Sequence, residues 1–206
     1  DNSQHGIIRD NNFYHLDLNF SFETPENYKI NNNNNNIIVS NKNRDLVIIF
    51  DGLLNNEKLT LLELAEASYS RSNMHSYKEL IIDNKPAIVF EENKIIKFEG
   101  IEYFRKTYLI NWINNRVWRF SLLINPQFKI KYESEADKIA MSIHELTEEE
   151  KILGRPKFIS IYQTIEGDTA SILAKKMALD ENQLEIFLIM NGLNVDGDDP
   201  LPLGTK

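Results

Sequence analysis

Between residues 80 and 124 the sequence falls into extended runs, 80–82, 86–90, 95–98, 103–110 and 116–124, each bounded by Asn, Gly, Pro or charged residues. Such runs predict strands, and the last two are joined by a turn at Asn114 and Asn115. Upstream, 37–40, 41–44 and 46–50 read as strand, turn and strand, a simple hairpin. Thr60 and Glu63 have the spacing of a capping box, predicting a helix with Leu61, Leu64, Ala65 and Ser68 along one side. A further helix is expected from Ser134 with Asp137, because Ala136, Ile139, Ala140 and Ile143 recur at helical spacing. Residues 13–22 alternate apolar and polar, the period of one half-buried strand. Residues 1–148 are therefore expected to form an α+β domain, an antiparallel meander with helices packed on its sheet.

The asparagines at 31–36 interrupt an extended pattern and read as a surface loop, since Asn supplies 25 residues in all. The net charge of -8 is spread along the chain and leaves no basic footprint for nucleic acid or an anionic membrane surface. No apolar run approaches the roughly 18 residues that span a bilayer. The lack of cysteine removes disulfides, thiolate metal sites and cysteine nucleophiles. A chain opening on Asp1 rather than Met reads as a processed or trimmed piece. The charged stretch from Thr147, broken by Gly154 and Pro156, reads as a linker, so a second domain is expected over 157–206.

That second domain is legible in detail. Ile161 opens an expected strand, and Gly167, Asp168 and Thr169 make a tight turn with Asp168 placed to cap a helix. Ala170, Leu173, Ala174 and Met177 give that helix one apolar face. A second helix starts with Asp180 and Gln183 as a capping pair, carries Leu184, Phe187 and Leu188 on one face, and stops at Asn191 and Gly192. Leu193 then falls where a Schellman motif wants its apolar contact.

This order of residues resembles a LysM module, with Gly167, Asp168, Thr169, Leu173, Ala174, Asn191 and Leu193 at matching positions. The resemblance implies a small β-α-α(-β) unit whose closing strand would begin at Gly204. It also implies a glycan groove between Gly167, Asp168, Thr169 and Ala170 on one side and Asn191, Gly192, Leu193 and Asn194 on the other. A wider likeness covers most of the chain. Gly6, Arg9, Phe13, His15, Leu18, Phe20, Pro25, Glu26 and Tyr28, with Asn191, Gly192 and Leu193 and the tail Asp199, Pro200, Leu201 and Gly204, are similar to the region after the catalytic domain in HtpX/BepA-like zinc metallopeptidases. Leu16 and Tyr28 stand where that pattern usually has Pro and Trp. The likeness implies a PsbP-like sheet domain followed by a LysM-like end, in the periplasm or cell envelope. It implies as partners a peptidoglycan-type glycan or a protein, and an upstream catalytic domain if the chain belongs to a larger protein.

The chemistry of a peptidase is missing from the sequence. A His-Glu-x-x-His helix places two imidazoles on one zinc. Here the pair is His144 and Glu145, with Glu148 where the second histidine would be. His144 reads as a solvated helix end and His15 as an exposed or sheet-edge residue. Glu91 with Glu92, and the acids at 148–150, read as solvated charge. Asp196, Asp198 and Asp199 lack the spacing of a calcium loop and read as a turn. Tyr103, Phe104, Tyr108, Trp112, Trp118 and Phe120 read as core before they read as a binding platform. No catalytic residue, metal ligand or cofactor is expected in this chain. Its function is expected to be that of a non-catalytic accessory region, with a stand-alone hydrolase using a cleft of the sheet domain, or a purely structural interaction module, as the alternatives.

Overall fold

The computed structural model describes residues 6–179 and 181–204. Its main element is an antiparallel sheet of seven strands, β4 (Tyr28–Asn32), β5 (Ile37–Asn41), β6 (Leu46–Leu54), β7 (Met74–Ile82), β8 (Lys85–Phe98), β9 (Ile101–Asn111) and β10 (Arg116–Ile124). The spatial order is β4-β5-β6-β10-β9-β8-β7. After β6 the chain leaves the sheet through helix α1 (Leu61–Tyr69), re-enters at the far edge as β7, and zigzags back until β10 pairs with β6. Two-residue turns make this zigzag possible. Asp83 with Asn84, Glu99 with Gly100, and Asn114 with Asn115 all sit at positive φ. That left-handed pair gives the turn whose twist matches paired strands, and Asn, Asp and Gly adopt it most easily.

Alternation along each strand splits the sheet into two faces. On one, α1 is set by the expected capping box at Thr60 and Glu63, and Ala65 and Tyr69 bury against Ile88, Phe90, Leu109 and Val117. On the other, helix α2 (Lys129–Met141) packs Tyr132, Ala136, Ile139 and Ala140 over Ile48, Phe50, Phe120 and Leu122. The small sheet β1 (Ile7–Arg9), β2 (Asn12–His15) and β3 (Phe20–Glu23) covers the rest of this face. Phe20 meets Trp118 at 4.8 Å between ring centroids, and Phe50 meets Phe120 at 4.6 Å. Each such buried ring contributes on the order of 1.5–3 kcal/mol. The aromatics of β9 and β10 are thus mostly core: Tyr103, Tyr108, Trp112, Trp118 and Phe120 are all buried.

Several local expectations differ from the structure. Residues 13–22 form two strands rather than one, because Asn19 takes a positive φ and its N–H bonds to the Leu16 carbonyl, closing a turn without Gly or Pro. Helix α2 begins five residues before Ser134, after a turn in which Asn125 accepts from the Gln127 N–H, and Asp137 binds Lys106 and Tyr108 instead of capping. The stretch read as linker holds helix α3 (Glu148–Leu153), with a full capping box at Thr147 and Glu150.

The chain divides into compact units Asp1–Arg155 and Pro156–Lys206. The second holds α4 (Ala170–Ala174) and α5 (Gln183–Asn191), with Ala170, Leu173, Ala174 and Leu201 buried. Thr169, not Asp168, caps α4, accepting from the Ile172 N–H at 3.2 Å. The Asp168 carboxylate instead accepts from the Ile165 N–H at 2.9 Å, three residues back, and so braces the turn before α4. Helix α4 stops at Ala174, short of the expected Met177. Asp180 lies outside the described residues, and α5 starts from Asn182 at positive φ without a side-chain cap. Its end is the expected Schellman motif, with Gly192 N–H bonded to Ile189 O and Leu193 N–H to Leu188 O. The strand expected from Ile161 is not formed: 156–166 carry no regular strand or helix, and the nearest pairing is a single bridge between Thr169 and Pro200.

Candidate functional site

The arrangement most like a catalytic site is in the first unit. Ser21 on β3, His144 after α2 and Glu150 on α3 converge, with Ser21 Oγ 3.0 Å from His144 Nε2 and 2.8 Å from Glu150 Oε1. His144 Nε2 lies 2.9 Å from the same Oε1, and Nδ1 lies 2.7 Å from the Ser142 carbonyl. A working triad places the acid and the serine on opposite ring nitrogens. Here both meet Nε2. The bonds balance when the imidazole is protonated: Nδ1–H donates to Ser142 O, while Nε2–H and the Ser21 hydroxyl both donate to Glu150. A protonated imidazole has no lone pair to act as base, and Ser21, 1% exposed, is closed to substrate. Burial alone pulls the His144 pKa down, but the Ser142 carbonyl, Glu150 and Asp83 outweigh it and hold it above the ordinary value. For Glu150, burial pushes up, and the Thr147 N–H, Ser21 and His144 prevail and hold it low. The group is a clasp that ties α3 to β3. The reading of His144 as a solvated helix end is therefore corrected.

Under α1 lies a second polar group. Arg119 on β10 makes two bonds to Asp51 on β6, at 2.8 and 2.5 Å, and a third to the Tyr69 hydroxyl at 3.3 Å. The Arg105 guanidinium lies over the Tyr69 ring and pairs with Glu92. Glu92, 4% exposed, is buried rather than solvated, and its neighbour Glu91 pairs with Lys129. Two adjacent acids do point to opposite faces, but each face supplies a cation. Glu92 Oε2 and Thr107 Oγ1 are buried without a protein partner among the described residues. Glu133 and Asp137 are taken up by Lys106. A cleft hydrolase works with two carboxylates in different protonation states facing a reacting atom, whereas Glu91, Glu92 and Asp51 are each paired with a cation and Glu133 and Asp137 share the Lys106 ammonium. Among the described residues no group of His, Asp and Glu is arranged to hold a metal ion.

In the second unit the residues expected to bind glycan are only partly accessible. Gly167 is open, with no atom within 4 Å of where a Cβ would sit, while Asp168 and Ala170 are buried. The C-terminal tail takes up backbone groups around this turn: Leu201 N–H bonds to Asp168 O at 2.9 Å, and Ser171 N–H to Gly197 O at 2.8 Å. Asn191, Gly192 and Asn194 are exposed and Leu193 half-buried, but the Gly192 and Leu193 amides are spent on the helix end and Asn191 Nδ2 donates to Phe187 O. The open space lies beside these loops. A cavity of about 660 Å³ is lined by Ser171, Ala174 and Lys175 of the α4 region, Asn182, Leu184 and Leu188 of the α5 region, and Asp198 of the tail. Gln183 also borders it, held by bonds from its Nε2 to the Leu179 and Met177 carbonyls. Periodicity placed the apolar side chains of this cavity on their helices. Nothing local could show that the tail loop folds back to line it.

No family model matches this sequence, and no curated protein sequence matches it. Solved structures resemble the fold. The solution structure of cyanobacterial PsbP (CyanoP) from Synechocystis sp. PCC 6803 aligns with a TM-score of 0.50 at 11% identity, over 66% of this chain and 91% of that one. A crystal structure from Bacteroides thetaiotaomicron VPI-5482 aligns at 0.48, with 11% identity over 73% of this chain and 52% of that one. LpqN of Mycobacterium tuberculosis, described as involved in cell envelope biogenesis, aligns at 0.44, with 9% identity over 62% and 83%. The chain is α+β with an antiparallel sheet, and over about two thirds of its length it has a PsbP-like fold.

Proposed function

We propose that this chain is a non-catalytic binding region of a protein of the cell envelope, in which residues 157–206 form a LysM-like module. The module would hold a peptidoglycan-type glycan, and the protein it serves would be a zinc-dependent peptidase of the HtpX/BepA-like class. The observation that carries this reading is the contrast between the units. The first pairs Arg105 with Glu92 and Arg119 with Asp51 internally, and its own open hollow of about 640 Å³ is lined mainly by Asn32, Asn33, Asn34, Asn35 and Asn36, whereas the hollow of the second has Ala174, Leu184 and Leu188 in its wall beside polar groups. Ala174, Leu184 and Leu188 offer apolar contact for a sugar ring or an acetamido methyl, and Asn182, Lys175 and Asp198 offer hydrogen bonds. The exposed Gly167, Asn191, Gly192 and Asn194 would flank further sugar units. One shallow site gives weak affinity, since little ligand surface is desolvated.

The test is sedimentation of the full chain with insoluble peptidoglycan. The chain should pellet, and Leu184→Glu, which puts a charge in the cavity wall, should lose at least about half of the bound fraction. Ile130→Glu, on the exposed side of α2, should not. Retention of all three proteins in the supernatant would transfer the role to a partner protein, for which the exposed Ile189 and Met190 of α5 are suited.

A further inference from the structure

The segment before the Gly167 turn has the composition of a strand and, among the described residues, no strand to pair with. Residues 158–165, Phe-Ile-Ser-Ile-Tyr-Gln-Thr-Ile, contain no charge, Pro or Gly. Among the described residues, 157–163 make no backbone hydrogen bond. Uncharged, β-branched segments of this kind are strong templates for pairing, and sheets usually guard their edges with charges. This chain does so elsewhere: the edge strands of the main sheet carry Lys29 on β4 and Lys78 with Glu79 on β7.

The two sides of the segment differ. Thr164 is buried and the Lys176 ammonium lies 4.9 Å from the Tyr162 ring, so these even-numbered side chains turn toward their own unit, although Phe158 remains exposed. Ile159, Ile161 and Ile165 are 84%, 81% and 61% exposed, a row that shares one face of an extended chain. The backbone is asymmetric too. Thr164 O accepts from Gly204 N–H and Thr164 Oγ1 donates to Pro202 O, so the tail occupies one edge. In an extended chain the groups of Gln163, Ile161 and Ile159 would then point to the opposite, open edge.

We infer that this open edge pairs with the same segment of a second copy of the chain, antiparallel about a two-fold axis at Ile161. The pattern is self-complementary in that direction. Antiparallel pairing brings Lys157 of one copy to the end that carries Glu166 of the other, whereas parallel pairing would gather like charges. Symmetry requires one residue to face itself. Centring on Ile161 sets Ile159 against Gln163 and the aliphatic stem of Lys157 against Ile165; centring on Tyr162 would set Phe158 against Glu166, which desolvates a carboxylate. A ribbon of about seven residues buries well under the roughly 1,200 Å² of a standard interface. The dimer is accordingly weak, with a dissociation constant on the order of 0.1 mM.

Two measurements on the full chain test this. Sedimentation equilibrium up to about 1 mM should show a monomer–dimer equilibrium, and Ile161→Lys, which sets two ammonium groups face to face, should weaken it by at least about tenfold. Ile130→Lys should leave it unchanged. Because the chain has no cysteine, Ile161→Cys should form a covalent dimer on mild oxidation, as directly opposed residues lie about 5.5 Å apart between Cα atoms. Ser160→Cys should do so far less. A chain that stays monomeric at 1 mM, a dimer indifferent to Ile161→Lys, or equal cross-linking from positions 160 and 161 would each overturn the proposal.

Discussion

Replacing Glu150 with Ala probes the clasp between α3 and β3 and gives a result whose size depends on pH. The substitution removes the capping-box acid at Thr147, worth about 1 kcal/mol. It also removes an ionised acceptor from Ser21 and His144, worth about 1.5–3 kcal/mol. The expected loss near pH 6 is therefore about 3 kcal/mol. The folded pKa of His144 lies above its ordinary 6.5, so its contribution is complete below that pH and is lost as pH rises through the raised value. The folded pKa of Glu150 lies below its ordinary 4.5, so its contribution is complete above 4.5 and is lost as pH falls through the lowered value. The clasp is strongest between those two ordinary values. Urea denaturation followed by tryptophan fluorescence is a suitable assay, because Trp112 and Trp118 are the only tryptophans and both are buried in the first unit. The difference between parent and Glu150→Ala should be smaller at pH 9, where His144 has lost its proton, than at pH 6. An equal difference at both pH values would refute the protonated state assigned to His144, and a loss below about 0.5 kcal/mol would refute the clasp.

The pair under α1 should behave as a buried pair and the one on α3 as a surface pair. Arg105→Met strands the Glu92 carboxylate and should cost about 3–5 kcal/mol in urea denaturation, whereas Lys151→Ala, opposite the exposed Glu148, should change nothing measurable. Gly52→Ala should cost about 1–3 kcal/mol in the same assay, because the new Cβ would sit 2.5 Å from Trp118 Cζ3, inside the packed ring cluster.

Much of the sheet was readable from local chemistry, since turn residues and alternation act within a few positions. The run 116–124 is β10 to the residue, and Asn114 with Asn115 forms its turn. The capping box is legible at Thr60 and Glu63, whereas the same spacing at Thr147 and Glu150 is masked by three consecutive acids that read as a charged linker. At 13–22 alternation survived a turn that contains neither Gly nor Pro. The site was less readable because its geometry is non-local. Ser21 meets His144 across 123 positions, and Gly197 and Leu201 take up backbone groups that the Gly167 turn by itself leaves open. Unpaired backbone at a helix start indicates a binding place only if no other part of the chain reaches it first.

Amide chemical shifts of the full chain, followed during titration with chito-oligosaccharides, test the proposed glycan site most directly. Saturating sugar should move Ser171, Lys175, Asn182, Leu184 and Asp198 around the cavity, with smaller changes at Gly167, Thr169, Asn191, Gly192 and Asn194, and should leave the PsbP-like sheet unmoved. Shifts confined to the first unit, or none at all, would contradict the account.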